Sequence, residues 1–215
     1  MYKNYVKRAL DVLAASLGLI ALMPLWLVIS IWVKLDSPGP VLFRQKRIGK
    51  DKRYFHILKF RTMCTDTPSD TPTHMLKDPT RFITKSGNFL RRTSLDELPQ
   101  LLNILVGDMS VIGPRPALWN QDDLIAERDK YGANNVLPGL SGLAQISGRD
   151  ELEIADKARL DGEYVRRMSF SFDLKCFFGT VMKILKREGV VEGGTGTLNS
   201  SSREVDQPSE NGSKS

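Results

Sequence analysis

Thr93-Ser94-Leu95-Asp96-Glu97-Leu98-Pro99-Gln100 sets two carboxylates side by side, directly after the basic pair Arg91 and Arg92. Consecutive residues on a helix project about 100° apart, so Asp96 and Glu97 do not share one face. They can take different tasks, one as a nucleophile and the other as a metal ligand. The same residues also read as an ordinary helix start. Thr93 or Ser94 can serve as N-cap, with an acid three residues after either, as in a capping box. Taken alone, the octapeptide favours the capped, charged surface helix, because such patterns are common.

A second reactive-looking stretch is Gly113-Pro114-Arg115-Pro116. The two prolines fix the backbone around Arg115, and a pre-set guanidinium loses less freedom when its planar fork grips a phosphate. An idle arginine on a stiff surface turn is the plainer reading of an isolated tetrapeptide. Leu137 to Arg149 is Gly-rich and ends in an arginine, but no Gly-Lys-Ser/Thr closes it, so it is not a P-loop.

The elements that must position these groups begin with Val12 to Val33, an uncharged and mostly apolar run of about 22 residues, long enough to span a bilayer. Lys3, Lys7 and Arg8 precede it, and Lys34, Arg44, Lys46, Arg47, Lys50, Lys52 and Arg53 follow it. Positive segments prefer the cytoplasmic side, which favours entering and leaving on one face. Pro24 deletes one helical hydrogen bond mid-run. A single span with the bulk of the protein inside explains the run equally well, and the residues leave both open.

Ser37-Pro38-Gly39-Pro40 stops this helix. Val41 to Phe43 and Tyr54 to Leu58 read as strands separated by a basic turn, and Lys59 to Met63 as a solvated strand edge. Thr65 to Pro79 reads as a mobile loop. Phe82 to Arg92 is helical, and Leu98, Leu101, Leu102 and Leu105 mark a buried helix face. Asp122 to Tyr131 and Glu151 to Arg167 are polar helices. Phe170 to Lys186 is amphipathic, with an aromatic face and a basic rim that suits either a membrane interface or core packing. Beyond Val191 the composition predicts disorder.

The chain has 215 residues and a formal charge of +6. That excess points to anionic partners such as nucleic acid, phosphorylated ligands or an anionic membrane. Two cysteines, Cys64 and Cys176, exclude a disulfide framework and read as free thiols in a reducing compartment. With only His56 and His74, a histidine-based zinc site is not expected.

Together these pieces resemble the small monotopic phosphoglycosyl transferases of the bacterial sugar transferase family. The likeness runs through Lys7-Arg8-x-x-Asp11, Lys59 to Met63, Thr93 to Gln100, Gly107-Asp108-Met109-Ser110-x-Ile112-Gly113-Pro114-Arg115-Pro116, Pro138 to Gln145 and Gly148-Arg149. Each motif is weak alone; the ordered series is specific. The resemblance implies a mostly helical, mixed α/β fold with three parts. These are a re-entrant membrane helix over 1–36, broken at Pro24, a compact cytoplasmic catalytic domain with interfacial amphipathic helices over 37–190, and a disordered tail over 191–215. Met23 stands where many relatives carry Ser.

It also implies a reaction in two steps. A sugar 1-phosphate moves from a UDP-sugar to undecaprenyl phosphate through a covalent aspartyl phosphosugar, releasing UMP at the cytoplasmic face of the bacterial inner membrane. Asp96 is then the nucleophile and Glu97 the Mg²⁺ ligand. Lys59, Arg91, Arg115, Gln145 and Arg149 bind substrate, while Lys7 and Arg8 meet lipid phosphates or Asp11. Partners are the UDP-sugar, the polyprenol phosphate and membrane phospholipid, with no nucleic acid. Similarity to short members of the family favours an N-acetylated amino sugar. A UDP-hexose such as galactose or glucose is the alternative within the fold, and a membrane-anchored polyanion-binding module the alternative outside enzymes.

Overall fold

The apolar run forms one long helix, α1 (Lys7–Asp36), which continues without interruption through Pro24. It is long and apolar enough to cross a membrane by length and composition. The computed structural model describes residues 2–67, 81–148 and 152–186; Arg149, most of the Thr65-to-Pro79 loop and the tail after Val191 lie outside them.

One side of α1 carries Leu13, Leu17, Ile20, Leu27, Ile31 and Leu35, all exposed. The opposite side docks onto protein along the helix. Ala15 joins a cluster with Phe55, Ile57, Ile104 and Met109, and further along Ile29 and Val33 pack with Phe60 and Leu90. Each such side chain, fully buried, contributes roughly 1.5–3 kcal/mol from apolar area alone. Arg61, expected on a solvated strand edge, is 5% exposed. It donates to the carbonyls of Val33, in the last turn of α1, and of Ser37 and Pro38 just beyond it.

The strands are longer than the sequence reading placed them. β1 (Leu42–Ile48) and β2 (Tyr54–Phe60) pair antiparallel, Leu42 opposite Phe60 and Ile48 opposite Tyr54. The basic segment expected as a turn is thus mostly strand. The chain reverses over Gly49–Arg53, with Asp51 and Lys52 at positive φ.

Helix α2 (Lys85–Thr93) starts at Thr84, whose hydroxyl accepts from the Gly87 N–H. Helix α3 (Gln100–Val106) follows the acidic turn, and Asn103 bridges it to β2, accepting from the Leu58 N–H and donating to the His56 carbonyl.

A second pair of short strands was not legible in the sequence. β3 (Ser110–Ile112) and β4 (Gly139–Ser141) run parallel, Ser110 beside Gly139 and Ile112 beside Ser141. Between them lies α4 (Asp122–Asp129), and after them α5 (Leu143–Ser147), α6 (Ile154–Arg167) and α7 (Phe170–Lys186). The glycines of this region serve backbone packing. A Cβ on Gly139 would stand 2.1 Å from the Gly113 nitrogen, and one on Gly142 2.0 Å from the Gly113 carbonyl oxygen. The Gly-rich segment therefore clamps the loop that carries Arg115.

Helix α7 splits its faces. Phe172 and Cys176 are buried with Tyr164 and Met168, while Phe170, Leu174, Phe177, Phe178 and Met182 stay exposed. Both thiols are free. Burial, then the nearby Asp173 carboxylate, pushes the Cys176 thiol up to about 11, so it stays protonated.

Candidate active site

The two carboxylates sit on a single 3₁₀ turn, Leu95–Glu97, between α2 and α3. The capping box does not form. Ser94 takes the left-handed conformation, φ 56°, and gives no side-chain cap; the Thr93 hydroxyl instead bonds back to the carbonyls of Phe89 and Leu90. A non-glycine residue at positive φ stores strain, and here it turns the chain so that both acids point inward. Asp96 is 7% and Glu97 9% exposed.

Consecutive residues project apart on the turn, and Glu97 lines a cavity, yet both acids lie near one lysine. Lys59 Nζ lies 2.8 Å from Glu97 Oε1 and 3.6 Å from Asp96 Oδ2. β2 delivers Lys59 from across the fold, and Arg115 Nη2 reaches the same Glu97 oxygen at 3.1 Å. Arg91 holds the Thr62 hydroxyl through Nε and acts electrostatically on Asp96. Burial raises the Asp96 carboxyl above the ordinary carboxylate range and Glu97 adds to this; Lys59, Arg91 and Arg115 pull it down. Asp96 is thus a buried carboxyl whose proton affinity is set by lost water and Glu97 on one side and three nearby cations on the other, the kind of perturbed group that clusters at functional sites.

Beside the acids opens a cavity of about 250 Å³. Its wall carries Glu97, Arg115 and Gln145 together with Arg92, Leu140, Ile146, Phe177, Val181 and Lys183. Of the residues singled out in the sequence, the structure brings together Lys59, Arg91, Asp96, Glu97, Arg115 and Gln145. It places Lys7 and Arg8 elsewhere. Lys7 is buried, 2.7 Å from Asp173 and 3.9 Å from Asp11. Arg8 donates to the carbonyls of Ile104 and Leu105 at the end of α3. Arg92 and the α7 residues on the cavity wall were missed. The signal for them was present in the Arg91-Arg92 pair and in Phe177, Val181 and Ile184 at helical spacing.

The donor set also bears on a metal. Mg²⁺ takes hard oxygen ligands and is usually held by one or two carboxylates plus substrate phosphates and water. Among the described residues no group of three or more acids, histidines or cysteines forms a cage. A carboxylate on the cavity wall such as Glu97 fits an ion shared with a phosphorylated substrate.

Residues 2–187 match the profile of the bacterial sugar transferase family. The chain belongs to that family. Over 191 residues it is 42% identical to the UDP-glucose:undecaprenyl-phosphate glucose-1-phosphate transferase of Escherichia coli, covering 83% of this chain and 40% of that protein. It is 40% identical to the exopolysaccharide production protein PSS of Rhizobium leguminosarum, covering 85% of this chain and 96% of the relative. A UDP-N-acetylgalactosamine-undecaprenyl-phosphate N-acetylgalactosaminephosphotransferase of Aeromonas hydrophila is 36% identical, over 84% of this chain and 44% of the relative. The chain thus spans about two-fifths of the length of the two named phosphotransferases.

Proposed function

We propose that this sugar transferase moves a sugar 1-phosphate from a UDP-sugar to undecaprenyl phosphate and releases UMP. The observation that carries the reading is the buried Asp96–Glu97 pair, set among Lys59, Arg91 and Arg115, beside a cavity that Glu97 and Arg115 line. Phosphoryl transfer needs positioning and charge neutralisation more than acid–base work, and these residue types supply both. An Asp96 oxygen attacks the sugar-linked phosphorus as the bond to the UMP oxygen breaks. The lipid phosphate oxygen then attacks the same phosphorus, and the aspartyl carboxylate leaves. Lys59 and the arginines screen the repulsion between carboxylate and diphosphate. Glu97 would hold Mg²⁺, which when bound neutralises diphosphate charge.

The test is UMP release from a panel of UDP-sugars by purified protein, with and without undecaprenyl phosphate. Incubation with sugar-labelled donor alone should leave phosphosugar on the protein. Release of no UMP from any donor would favour a polyanion-binding module instead. The panel must carry both donor classes: the expected amino sugar has a counterpart in the name of the Aeromonas relative, and the hexose alternative in that of the E. coli relative.

The same reading places the catalytic part on the cytoplasmic face of the bacterial inner membrane, with residues 1–36 entering and leaving on one side, 37–190 forming the catalytic domain and 191–215 a tail. What supports it is that both ends of α1 are tied to one body. Arg8 and Asp11 bind α3 and β3 at the start, and Arg61 holds the carbonyls at the end. A straight helix of this length reaches roughly 45 Å, enough to cross, so the docking rather than the length argues for a shallow, one-sided insertion. With Cys64 and Cys176 removed, single cysteines at Asn4 and Asp51 should both resist an impermeant maleimide until cells are opened. Labelling of the Asn4 position from outside, with Asp51 protected, would show a span instead.

A further inference from the structure

Gln145 stands apart from the other buried polar groups. Among the described residues it is the side chain that leaves two buried polar atoms, Nε2 and Oε1, without a hydrogen-bond partner. It is 9% exposed and lines the cavity that Glu97 and Arg115 also line. α5 carries it there, close against the β4 end: a Cβ on Gly142 would come within 3.0 Å of its Oε1. An amide buried with neither atom satisfied is costly, and such a group calls for a bound partner.

The chemistry of that partner follows from the carboxamide itself, which offers a donor and an acceptor side by side in one plane. A matching ligand must present an acceptor and a donor on one rigid edge. The acetamido group of an amino sugar does not, because its trans amide points N–H and C=O in opposite directions. Sugar hydroxyls can pair with an amide, but Leu140, Ile146, Phe177 and Val181 of the cavity wall would leave further hydroxyls unsatisfied, and the Ser141 and Thr180 hydroxyls on that wall already bond each other. A flat heteroaromatic ring suits these walls, and Phe177 offers it an aromatic neighbour.

We propose that Gln145 reads the imide edge of the donor's uracil, accepting from the ring N3–H at Oε1 and donating from Nε2 to the adjacent ring carbonyl. This rests on the UDP-sugar reading and assigns to that site the group that selects the base. Gln145 thus sets nucleotide specificity while Asp96 and its cations handle the phosphates.

The experiment measures binding of UMP, N3-methyl-UMP and ribose 5-phosphate to the full chain in detergent by calorimetry, beside the UMP-release assay. Two hydrogen bonds at stake predict that the unmodified protein binds UMP on the order of tenfold to a hundredfold tighter than N3-methyl-UMP. Gln145→Met should bind UMP and N3-methyl-UMP alike, with ribose 5-phosphate affinity unchanged. Should Gln145→Met fail to fold, the comparison of the two nucleotides on the unmodified protein still decides. Turnover of a UDP-sugar with equal affinity for UMP and N3-methyl-UMP overturns the Gln145 assignment alone, as does a Gln145→Met protein that still prefers UMP. Absence of both UMP binding and UMP release overturns the transferase reading, and this assignment with it.

Discussion

Two of the buried charge clusters among the described residues are built on different rules. Where α1, α6 and α7 meet, Asp173 takes 2.6 and 2.7 Å hydrogen bonds on Oδ2 from Tyr2 and Lys7, and the Tyr164 hydroxyl lies 2.8 Å from Oδ1. Asp11 accepts from the Ser110 hydroxyl and the Val111 N–H. Burial and the Asp173 carboxylate raise the Tyr164 phenol, so it remains a donor. Both carboxylates of this cluster are well supplied with donors. At the acidic turn, by contrast, Asp96 is equally buried, yet its cation at 3.6 Å is closer to Glu97. The first cluster has the satisfied geometry that makes burial of charge tolerable. The second gives Asp96 a shared cation at 3.6 Å and stands beside a cavity that Glu97 lines. Neither burial nor an unpartnered oxygen marks the candidate nucleophile by itself, since Asp161 is buried against Arg128 with Oδ1 unpartnered and its carboxyl raised. What sets Asp96 apart is its place beside Glu97, Lys59 and the cavity.

The widest separation between the two should come from Asp96→Asn. Loss of a nucleophile should lower turnover by at least about 10⁴-fold. Labelling by a sugar-labelled donor should vanish. The fold should be unharmed or gain about 1 kcal/mol, since a poorly compensated carboxyl is removed. Thermal melting checks this. The pH response sharpens the point. The folded Asp96 holds its proton more tightly than the unfolded chain does, so from the ordinary carboxylate value upward to its raised value the unfolded state binds fewer protons. Its contribution to stability must fall as pH rises through that window. The ionised nucleophile grows over the same window, so kcat/KM should rise as stability falls, and Asp96→Asn should lack this slope in melting.

Asp173→Asn is the mirror experiment. It leaves Lys7 buried without its close anion and should cost about 3 to 5 kcal/mol of stability, read by denaturant unfolding. A variant that melts like the parent would erase the distinction between the clusters. Glu97→Gln should lower kcat on the order of a hundredfold and raise the Mg²⁺ concentration for half-maximal rate. An unchanged Mg²⁺ response would remove the metal from Glu97. The smallest effect is expected of Arg115→Lys, whose side chain is 32% exposed. An ammonium cannot reproduce a two-pronged contact, so kcat/KM should fall on the order of tenfold. Near-normal efficiency would leave Arg115 as a partner of Glu97 only.

What the sequence determined by itself was local. Twenty-odd apolar residues impose a long helix, short apolar runs mark the start of β1 and most of β2, and helical spacing imposes α7, because backbone hydrogen bonding and side-chain period are short-range matters. The adjacency of Asp96 and Glu97 and the stiffness around Arg115 were legible for the same reason. Their meeting point was not. Lys59 comes to Glu97 from 38 residues away, and Lys7 to Asp173 from 166. No period relates such positions; the packing of the acidic turn and α3 on β2 sets the first, and the seating of α7 against the start of α1 the second. The parallel β3–β4 pair was hidden in two three-residue strands, where Gly139 and Gly113, just after β3, admit a neighbouring backbone. Lys7 and Arg61 illustrate the general case. Lys7 was expected to meet lipid phosphates or Asp11 and Arg61 to lie on a solvated strand edge, yet both are buried, because burial depends on what the rest of the chain lays against a residue. The electrostatic character of Asp96 is of that kind too: its type and neighbour are written in the sequence, while the loss of water that raises its pKa belongs to the tertiary structure.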